Sequence, residues 1–356
     1  MTPGTLFINL PLGDYCPIAF LGSGAFSLVY EAMHVPSGAH VALKILKPGA
    51  SLDENREFEN EGQLLVKLSG SSGVVNLLDT TSAQVSVTLA ATGQNVLLNT
   101  RFHVLELANA CLVELLAHRG RLPWSERLEL YRGVALGVHQ MHCKHVMHRD
   151  LKTANCLLFE RPGHDVAAKV ADLGRSRDLT QLPGASPWQY IVGRGDPNFA
   201  PPETLWQLGQ DQAASHRQVD LYGLGSLFFE LATGIGLTGI ALLPKWSVIA
   251  GDLALPTDRR RLLYASRAHE IRGWFETAYA LLGKELPPSI RAYSTGLVRH
   301  MCDPVPERRM PVVGPGRHAT STHDLNWLLR SIDILRKTLH NAEAQAAMHA
   351  NRQARA

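Results

Sequence analysis

The sequence predicts an α+β fold in two parts: a small strand-rich N-terminal part with one main helix, and a larger, mostly helical C-terminal part. Short runs such as FSLVYEAMHV and HVALKIL, separated by the turn signal Pro36-Ser37-Gly38, indicate strands in the first hundred residues. After about residue 110, apolar residues recur at helical spacing, as in the segment 124–142. This change of pattern places the boundary between the two parts near residues 106–111.

The main helix of the N-terminal part has a start signal of its own. Ser51 and Glu54 form the capping-box pattern S-L-D-E, in which two side chains satisfy backbone N–H groups at the helix start. Phe58 and Leu65 then recur at helical spacing. The segment 80–101 predicts an additional hairpin.

A second amphipathic helix is predicted at 325–339, where leucine and isoleucine form an apolar stripe. It is expected either to pack on the larger part or to bind a partner. The last stretch, AEAQAAMHANRQARA, loses the stripe and is interpreted as a frayed polar tail. Residues 311–356 are therefore interpreted as a C-terminal extension.

Composition excludes several classes of protein. The 356 residues are 45% hydrophobic and 19% charged, which is typical of a globular chain with a core of its own. The net charge of +3 is too weak to indicate nucleic acid as a main partner. Oligomeric state has no signature in the sequence.

The apolar run 221–243 has the length of a membrane span, yet it contains Glu230 and five glycines. It is interpreted as a buried core helix followed by a glycine-rich turn, so no membrane span is expected. The five cysteines are far apart and odd in number, and the N-terminus lacks a basic start and a long apolar run. We therefore expect no disulfide framework and a cytoplasmic, reducing location.

Two motifs in the N-terminal part are suited to binding phosphate. Gly22 and Gly24 lie in LGSGAFSLVY, where absent side chains let backbone N–H groups approach an anion, although such pairs are also common in ordinary turns. Lys44 ends VALK on the same strand face as Ala42; it either needs an anion there or extends to water. Glu61, preferred over Glu57 because it shares the apolar helix face, is the candidate carboxylate.

The motif HRDLKTAN carries the strongest chemical signal. Asp150 is placed to accept the proton of an attacking hydroxyl, and Lys152 to neutralise a moving phosphoryl group. Asn155 and, in AKVADLG, Asp172 offer oxygen ligands for Mg²⁺.

The glycine loop, VALK, HRDLKTAN, DLG and PPE follow one another in the order of the protein-kinase signature, so the sequence resembles the eukaryotic-type Ser/Thr protein kinase family over residues 15–310. This resemblance implies a bilobal fold with an N-lobe at 15–107 and a C-lobe at 108–310. It also implies ATP and Mg²⁺ as cofactors, transfer of the γ-phosphate to Ser/Thr hydroxyls of protein substrates, and autophosphorylation.

The resemblance also assigns roles. Lys44 would hold the α- and β-phosphates and pair with Glu61, Asp150 would be the catalytic base, and Asn155 and Asp172 would bind Mg²⁺. Leu105 would be the gatekeeper, next to a hinge that meets the adenine. The remaining ATP-binding positions implied are Leu21, Gly22, Ser23, Gly24, Ala25, Phe26, Ser27, Leu28, Val29, Ala42, Glu106, Leu107 and Ala108.

Further matches concern structure and regulation. Asp220 would anchor the catalytic loop, and Glu203 would pair with Arg309 in preference to Arg308. Arg149 is typical of kinases whose activation segment is phosphorylated. The candidate acceptors in that segment are Ser176, Thr180 and Ser186, with Tyr190 as a further hydroxyl.

The sequence departs from the family pattern at four positions. Ser27 replaces the third glycine, Leu173 the phenylalanine of DFG, and Pro201 the alanine of APE. Asp196 stands where these kinases usually carry threonine, and a second carboxylate near Asp150 would repel it. This departure keeps a catalytically weak or inactive kinase-like scaffold as the alternative function. A small-molecule kinase ranks last, because such relatives usually lack the glycine loop, the PPE segment and the Asp220 element.

Two other clusters are interpreted as structural. His139, His142, His145 and His148 recur every third residue, but this spacing drifts around a helix, which disfavours a zinc site. The run 259–261, three arginines, is interpreted as a solvated helix face rather than a docking patch.

Overall fold

The computed structural model describes residues 3–88, 95–118, 120, 122–161, 163–181, 196–309 and 324–353. They form two compact units. The N-terminal unit comprises Met1–Asn109 and Ala171–Arg175, and the C-terminal unit comprises Ala110–Val170 and Ser176–Ala356. The change of unit after Asn109 falls inside the range where the sequence pattern changes. The predicted start of the C-terminal extension, residue 311, lies outside the described residues.

The N-terminal unit is built on one antiparallel sheet of five strands with the spatial order β1-β2-β3-β5-β4. The strands are β1 (Tyr15–Ser23), β2 (Ser27–His34), β3 (Ala39–Leu46), β4 (Leu77–Thr88) and β5 (Asn95–Glu106), and helix α1 (Leu52–Lys67) lies between β3 and β4 in the chain. The hairpin predicted at 80–101 forms, but its strands are longer and are the last two strands of the main sheet, paired from Leu77 with Leu105 to Thr88 with Asn95.

Strand alternation explains how this unit positions a buried lysine. Leu43 and Ile45 of β3 pack with Tyr30 and Phe102 in the core on one face of the sheet. Because successive side chains of a strand point to opposite faces, Lys44 between them points to the other face. Lys44 is nevertheless only 6% exposed, so its charge needs partners inside the protein.

Helix α1 begins with the predicted capping box. Glu54 N donates to Ser51 Oγ at 3.3 Å, and Ser51 N donates to Glu54 Oε2 at 2.7 Å. The two bonds satisfy backbone groups that would otherwise have no partner at the helix start. Phe58, Glu61 and Leu65 lie on the buried face of the helix, as the spacing predicts.

In the part of the C-terminal unit that the structure describes, helices dominate and two small sheets are present. Strands β6 (Ala110–Cys111), β8 (Cys156–Arg161) and β9 (His164–Val170) form one sheet, and β7 (Val146–Met147) pairs with β10 (Arg177–Asp178) in the other. The helices are α2 (Leu112–Leu116), α3 (Trp124–Cys143), α4 (Pro202–Leu205), α5 (Ala213–Thr233), α6 (Leu237–Leu242), α7 (Trp246–Leu253), α8 (Thr257–Ser266), α9 (Ala268–Trp274), α10 (Glu276–Glu285), α11 (Pro288–Met301) and α12 (Asn326–Gln353). The predicted α+β class is confirmed.

Helix α5 is the buried helix predicted from the apolar run. It is buried over most of its length and ends at Gly234, whose φ of 78° allows a left-handed C-cap. Among the described residues, no single helix is long and apolar enough to cross a membrane. Helix α5 and the segment Leu237–Leu253, which meet at a bend of 88°, together reach the length and apolar composition of a membrane span.

Helix α12 packs against α3 and α11 through the predicted stripe, including Leu328 and Ile332. Arg132 Nε of α3 donates to Asp333 Oδ1 at 2.8 Å across this contact. The tail is mostly exposed, as expected, but the prediction that it frays was wrong, because the helix continues to Gln353. Alanine, glutamine and arginine dominate the tail and are strong helix formers, so a helix nucleated by the packed stripe propagates into it.

The predicted pair of Glu203 and Arg309 links α4 to the turn Pro306–Arg309. The guanidinium of Arg309 binds both carboxylate oxygens of Glu203 at 2.7 Å, and it donates to Asp303 O and Gln218 O at 2.7 and 3.1 Å. Arg309 is fully buried, and the alternative partner Arg308 is exposed.

The run of three arginines at 259–261 was expected to form a solvated helix face. This is wrong for Arg260, which is buried and donates to backbone carbonyls.

Replacing Arg309 by leucine should lower the free energy of unfolding by about 3–5 kcal/mol, because the substitution leaves the Glu203 carboxylate buried without its cation. Arg308→Leu is the matched control, and its effect should stay within about 0.5 kcal/mol since the side chain is exposed. Urea unfolding of both variants measures the difference. Equal unfolding midpoints would contradict the structural role of the pair.

Candidate active site

In the N-terminal unit, Lys44 lies between two carboxylates. Its Nζ is 2.7 Å from Glu61 and 2.8 Å from Asp172 Oδ1. Of the two glutamates considered from the sequence, Glu61 is therefore the one that pairs with Lys44. Burial by itself would lower the pKa of Lys44, but the Glu61 and Asp172 carboxylates outweigh it and raise the pKa above its usual value. Lys44 therefore stays charged at any physiological pH.

Asp172 and Leu173 are shaped to complete this network. Asp172 adopts a φ of 60°, in the left-handed region that non-glycine residues rarely occupy. Leu173, which replaces the phenylalanine of the family motif, is fully buried, and its N–H donates to Glu61 Oε1 at 3.2 Å. Glu61 thus connects α1 to both Lys44 and the DLG segment.

The glycine-rich loop between β1 and β2 is held by its own hydrogen bonds and by Lys47. Gly24 N donates to Ser27 O at 2.9 Å, and Lys47 Nζ donates to Gly24 O and Ala25 O at 2.6 and 3.0 Å. Phe26, at the loop tip, is buried against Phe58, and a Cβ on Gly174 would lie 2.7 Å from its ring. A side chain larger than glycine at Gly174 would therefore displace Phe26.

The residues expected around adenine also lie in this unit. Ala42 on β3 pairs with Leu105 on β5, and both are buried. Leu21 on β1 is 52% exposed, which leaves its surface available for a flat ligand. Glu106 donates its backbone N–H to Asn76 O at 3.1 Å and accepts from Asn76 N at 2.7 Å through its carboxylate, so the residue that precedes β4 fixes it. Of the remaining expected ATP-binding positions, Leu28 and Ser27 are buried and Ser23, Gly22, Val29, Leu107 and Ala108 are at least partly exposed.

In the C-terminal unit, the HRDLKTAN segment brings its three chemical groups together. Asn155 Nδ2 donates to Asp150 O at 2.7 Å and to Asp150 Oδ2 at 3.2 Å. Lys152 Nζ is 3.6 Å from Asp150 Oδ2. These bonds orient the Asp150 carboxylate, and both bonds of Asn155 use its amide nitrogen rather than its oxygen.

Asp220 on α5 holds the backbone of this loop, as its position in the sequence implies. Its carboxylate accepts from His148 N at 2.8 Å, from Arg149 N at 2.6 Å and from His142 Nε2 at 2.8 Å. Arg149 has a φ of 70°, so the loop turns sharply at this point. Burial alone would raise the pKa of Asp220, but the hydrogen bond and charge of His142 bring it below its usual value. His142 therefore has a structural partner. Within the described residues, no group of three His, Cys, Asp or Glu side chains is arranged to hold a metal ion.

Glu230 is a second carboxylate of α5 that fixes the loop, and sequence reasoning missed its role. Its Oε1 accepts from Thr153 Oγ1 at 2.5 Å and its Oε2 from Thr153 N at 3.1 Å. Burial raises the pKa of Glu230. A signal was available, since Glu230 is the single charged residue of the apolar run 221–243.

The carboxylate of Asp196, the largest departure from the family pattern, has a local partner. Asp196 Oδ1 accepts from Asn198 N at 3.0 Å and from Asn198 Nδ2 at 2.8 Å. Phe199 N and Ala200 N both donate to Asp196 O at 2.9 Å. Asp196 therefore caps the turn that leads into the PPE segment.

The candidate phosphorylation sites differ in accessibility. Ser176 is buried and donates to His148 O at 3.3 Å, so it is not an accessible acceptor in this structure and this expectation is corrected. Thr180 is exposed, and its hydroxyl donates to Asp178 Oδ1 at 2.7 Å. Ser186 and Tyr190 lie outside the described residues.

Asp211 is a carboxylate that sequence reasoning did not single out. The basic side chains of Arg177 and His216 both bind it.

A model of the protein kinase domain matches residues 15–239, which is well over half of the chain. The chain belongs to the protein kinase family. This membership agrees with the order of the motifs and with the two units described above.

Curated protein kinases are similar at lower identity. CBL-interacting protein kinase 17 of Oryza sativa subsp. japonica is 30% identical over 291 residues, which cover 75% of this chain and 58% of that protein. Serine/threonine-protein kinase ATG1b of Arabidopsis thaliana is 26% identical over 256 residues, covering 70% of this chain and 32% of that protein. Carbon catabolite-derepressing protein kinase of Candida tropicalis is 27% identical over 226 residues, covering 63% and 32%. The chain thus spans about a third of two of these relatives.

Glu230→Leu should lower the free energy of unfolding, because the Thr153 N–H and hydroxyl would remain buried without their acceptor, at a cost of about 1–3 kcal/mol. Glu230→Gln keeps an acceptor oxygen in the same place and is the matched control, with the smaller loss expected. Urea unfolding of the two variants measures both effects. A leucine variant as stable as the glutamine variant would show that the carboxylate does not hold the loop.

Proposed function

We propose that this chain is an ATP- and Mg²⁺-dependent protein kinase that transfers the γ-phosphate to serine or threonine hydroxyls of protein substrates. The observation that carries the proposal is the orientation of Asp150 by Asn155, with the Lys152 ammonium 3.6 Å from the same carboxylate. A carboxylate held in one orientation beside a cation suits the activation of a hydroxyl for attack on a phosphoryl group.

The N-terminal unit would bind the nucleotide. Lys44 is charged, and Glu61 and Asp172 hold its ammonium in place, so the lysine is already positioned for phosphate oxygens that would replace Asp172 as its partner. Binding would require the ammonium to share its hydrogen bonds between Glu61 and the phosphates. The exposed Leu21 and the buried Ala42 supply apolar surface for the adenine.

The C-terminal unit would perform the transfer step. Asp150 would orient the substrate hydroxyl and accept its proton, while Lys152 would stabilise negative charge on the transferred group. The amide oxygen of Asn155 is a hard oxygen donor of the kind Mg²⁺ prefers, and so is the half-exposed carboxylate of Asp172 in the N-terminal unit, so each residue by its own chemistry fits the ion. When bound, Mg²⁺ would neutralise phosphate charge.

Specificity for serine and threonine is supported by Lys152, which stands where tyrosine kinases usually carry alanine or arginine. The Arabidopsis relative is itself a serine/threonine-protein kinase, which supports the same specificity here. A protein substrate is supported by a cavity of about 470 Å³ in the C-terminal unit, lined by Asp150, Phe199 and Pro201 among others. Because Asp150 lines the cavity, a substrate side chain that enters it would lie beside the proposed base.

Transfer of labelled γ-phosphate from ATP with Mg²⁺, to the chain itself and to a generic basic protein, tests the proposal. Asp150→Asn should lower the transfer rate by about 10²-fold or more, since general-base catalysis typically contributes that much. The matched control is Asp258→Asn, because Asp258 is an exposed aspartate in the same unit, and its rate should equal the wild-type rate. Nucleotide binding that persists without any transfer in the wild type would favour the scaffold function instead.

We also propose that the kinase phosphorylates its own activation segment, at Thr180 or Ser186 and not at Ser176. Ser176 is buried and bonded to the backbone of His148, whereas Thr180 is exposed. Phosphopeptide mapping after incubation with ATP should therefore find phosphate at Thr180 or Ser186 in the wild type and none in Asp150→Asn. Phosphate at Ser176 would contradict the expectation, since that site would have to open first.

A further inference from the structure

His103 joins the sheet of the N-terminal unit to helix α1. It lies on β5 directly opposite Lys44 of β3 and is 2% exposed. Its ring stacks on the ring of Phe58 with centroids 4.0 Å apart and an angle of 7° between the planes. Its Nε2 is 3.0 Å from Phe58 O, and its Nδ1 is 2.8 Å from Thr80 Oγ1.

These contacts determine which nitrogen carries the proton. The carbonyl of Phe58 can only accept, so Nε2 of His103 must donate, and Nδ1 then accepts from the hydroxyl of Thr80. The imidazole is thereby fixed by β4 on one side and by the backbone of α1 on the other. A hydrogen bond to a backbone carbonyl is directional, so it restricts rotation and sliding of the helix more than an apolar contact would.

Gly62 allows this approach. It lies inside α1, next to Glu61, although glycine is a poor helix former. A Cβ at Gly62 would lie 2.7 Å from Cε1 and 3.3 Å from Nε2 of His103. Such distances are shorter than van der Waals contact, so an alanine here would push the helix and the imidazole apart.

We propose that His103 and Gly62 position α1 so that Glu61 reaches Lys44, which makes His103 a positioning residue for nucleotide binding. Glu61 directly precedes Gly62, and its carboxylate is 2.7 Å from Lys44 Nζ, so a small rotation or shift of α1 separates the pair. The consequence for catalysis rests on the proposed kinase function, but the position of Glu61 can be measured without any enzymatic activity.

The first experiment measures the acylation rate of Lys44 by mass spectrometry after brief treatment with an N-hydroxysuccinimide ester. His103→Leu removes both hydrogen bonds, and Lys44 acylation should rise about fivefold, the equivalent of one hydrogen bond. His103→Gln keeps an N–H donor close to the Nε2 position and should restore slow acylation. Lys245, exposed in the other unit, is the internal reference and should react equally in all variants. Equal Lys44 acylation in wild type and His103→Leu would overturn the proposal.

The second experiment compares two glycine-to-alanine variants that the structure predicts to have opposite effects. Gly296 lies inside α11, and a Cβ there would meet nothing within 4 Å. Gly296→Ala should raise the melting temperature by about 2–4 °C through helix propensity alone. Gly62→Ala should instead lower it and increase Lys44 acylation. In a His103→Ala background, Gly62→Ala should add no further acylation, because the contact is already gone. Stabilisation by Gly62→Ala would overturn the proposal.

A pH dependence provides a third readout. Burial, together with the positive charges of Lys44 on β3 and Arg101 on β5, lowers the pKa of His103 to about 4; Arg101 is itself paired with Glu59 of α1. In the unfolded chain the His103 imidazole takes up a proton near pH 6.5, whereas in the folded protein it stays neutral until about pH 4. The contribution of His103 to the free energy of unfolding is therefore complete above about pH 6.5 and is lost as the pH falls towards 4. Between about pH 7 and pH 5, the melting temperature of the wild type should therefore fall more than that of His103→Gln. An equal decline in both would contradict a buried neutral His103.

Kinetics then connect the contact to the proposed function. His103→Leu should raise KM for ATP about fivefold, with His103→Gln near the wild type, because Glu61 acts on the nucleotide through Lys44. If acylation follows the expected pattern while no variant transfers phosphate, the positioning role holds and the kinase proposal fails. If phosphate transfer is active and KM does not respond to His103→Leu, the positioning proposal fails.

Discussion

The protein's candidate active site depends on the neutralisation of one buried charge. Lys44 is placed inside the N-terminal unit by strand alternation, and an isolated ammonium there would be strongly unfavourable. Glu61 and Asp172 supply the compensating charge at hydrogen-bonding distance. The position of α1 and the backbone turn at Asp172 both serve this requirement, because either carboxylate would lose its partner if its element moved.

The C-terminal unit meets the same requirement with fixed hydrogen bonds. Arg309 is fully buried and has acceptors in Glu203 and in two backbone carbonyls. Asp220 is buried and accepts three hydrogen bonds. Buried pairs of this kind add little to the free energy of unfolding. Removal of one partner is nevertheless strongly destabilising, because it leaves the other charge buried without compensation. They therefore fix geometry more than they add stability.

Sequence reasoning recovered the fold class, the capping box of α1 and the central buried helix, because these follow from periodicity and local chemistry. It missed groups whose role depends on a contact distant in sequence. Glu230 acts on Thr153 from 77 residues away, and His103 contacts the backbone of Phe58 in α1 from 45 residues away. It also placed a phosphorylation candidate at Ser176, since a hydroxyl in the right segment does not reveal its burial. Fraying was wrongly expected at 342–353, because the absence of an apolar stripe was given more weight than helix propensity.

Asp220 and Glu230, the two carboxylates of α5, limit how often the catalytic loop opens. The amide hydrogens of His148, Arg149 and Thr153 are bonded to side chains of a helix that lies in the centre of the unit. Such hydrogens exchange with solvent only when the loop separates from Asp220 and Glu230. That separation is unfavourable because it leaves the two buried carboxylates without their hydrogen-bond donors. We therefore expect the loop to open only together with α5, although it has almost no regular secondary structure. The hydrogen bonds to α5 make the loop rigid.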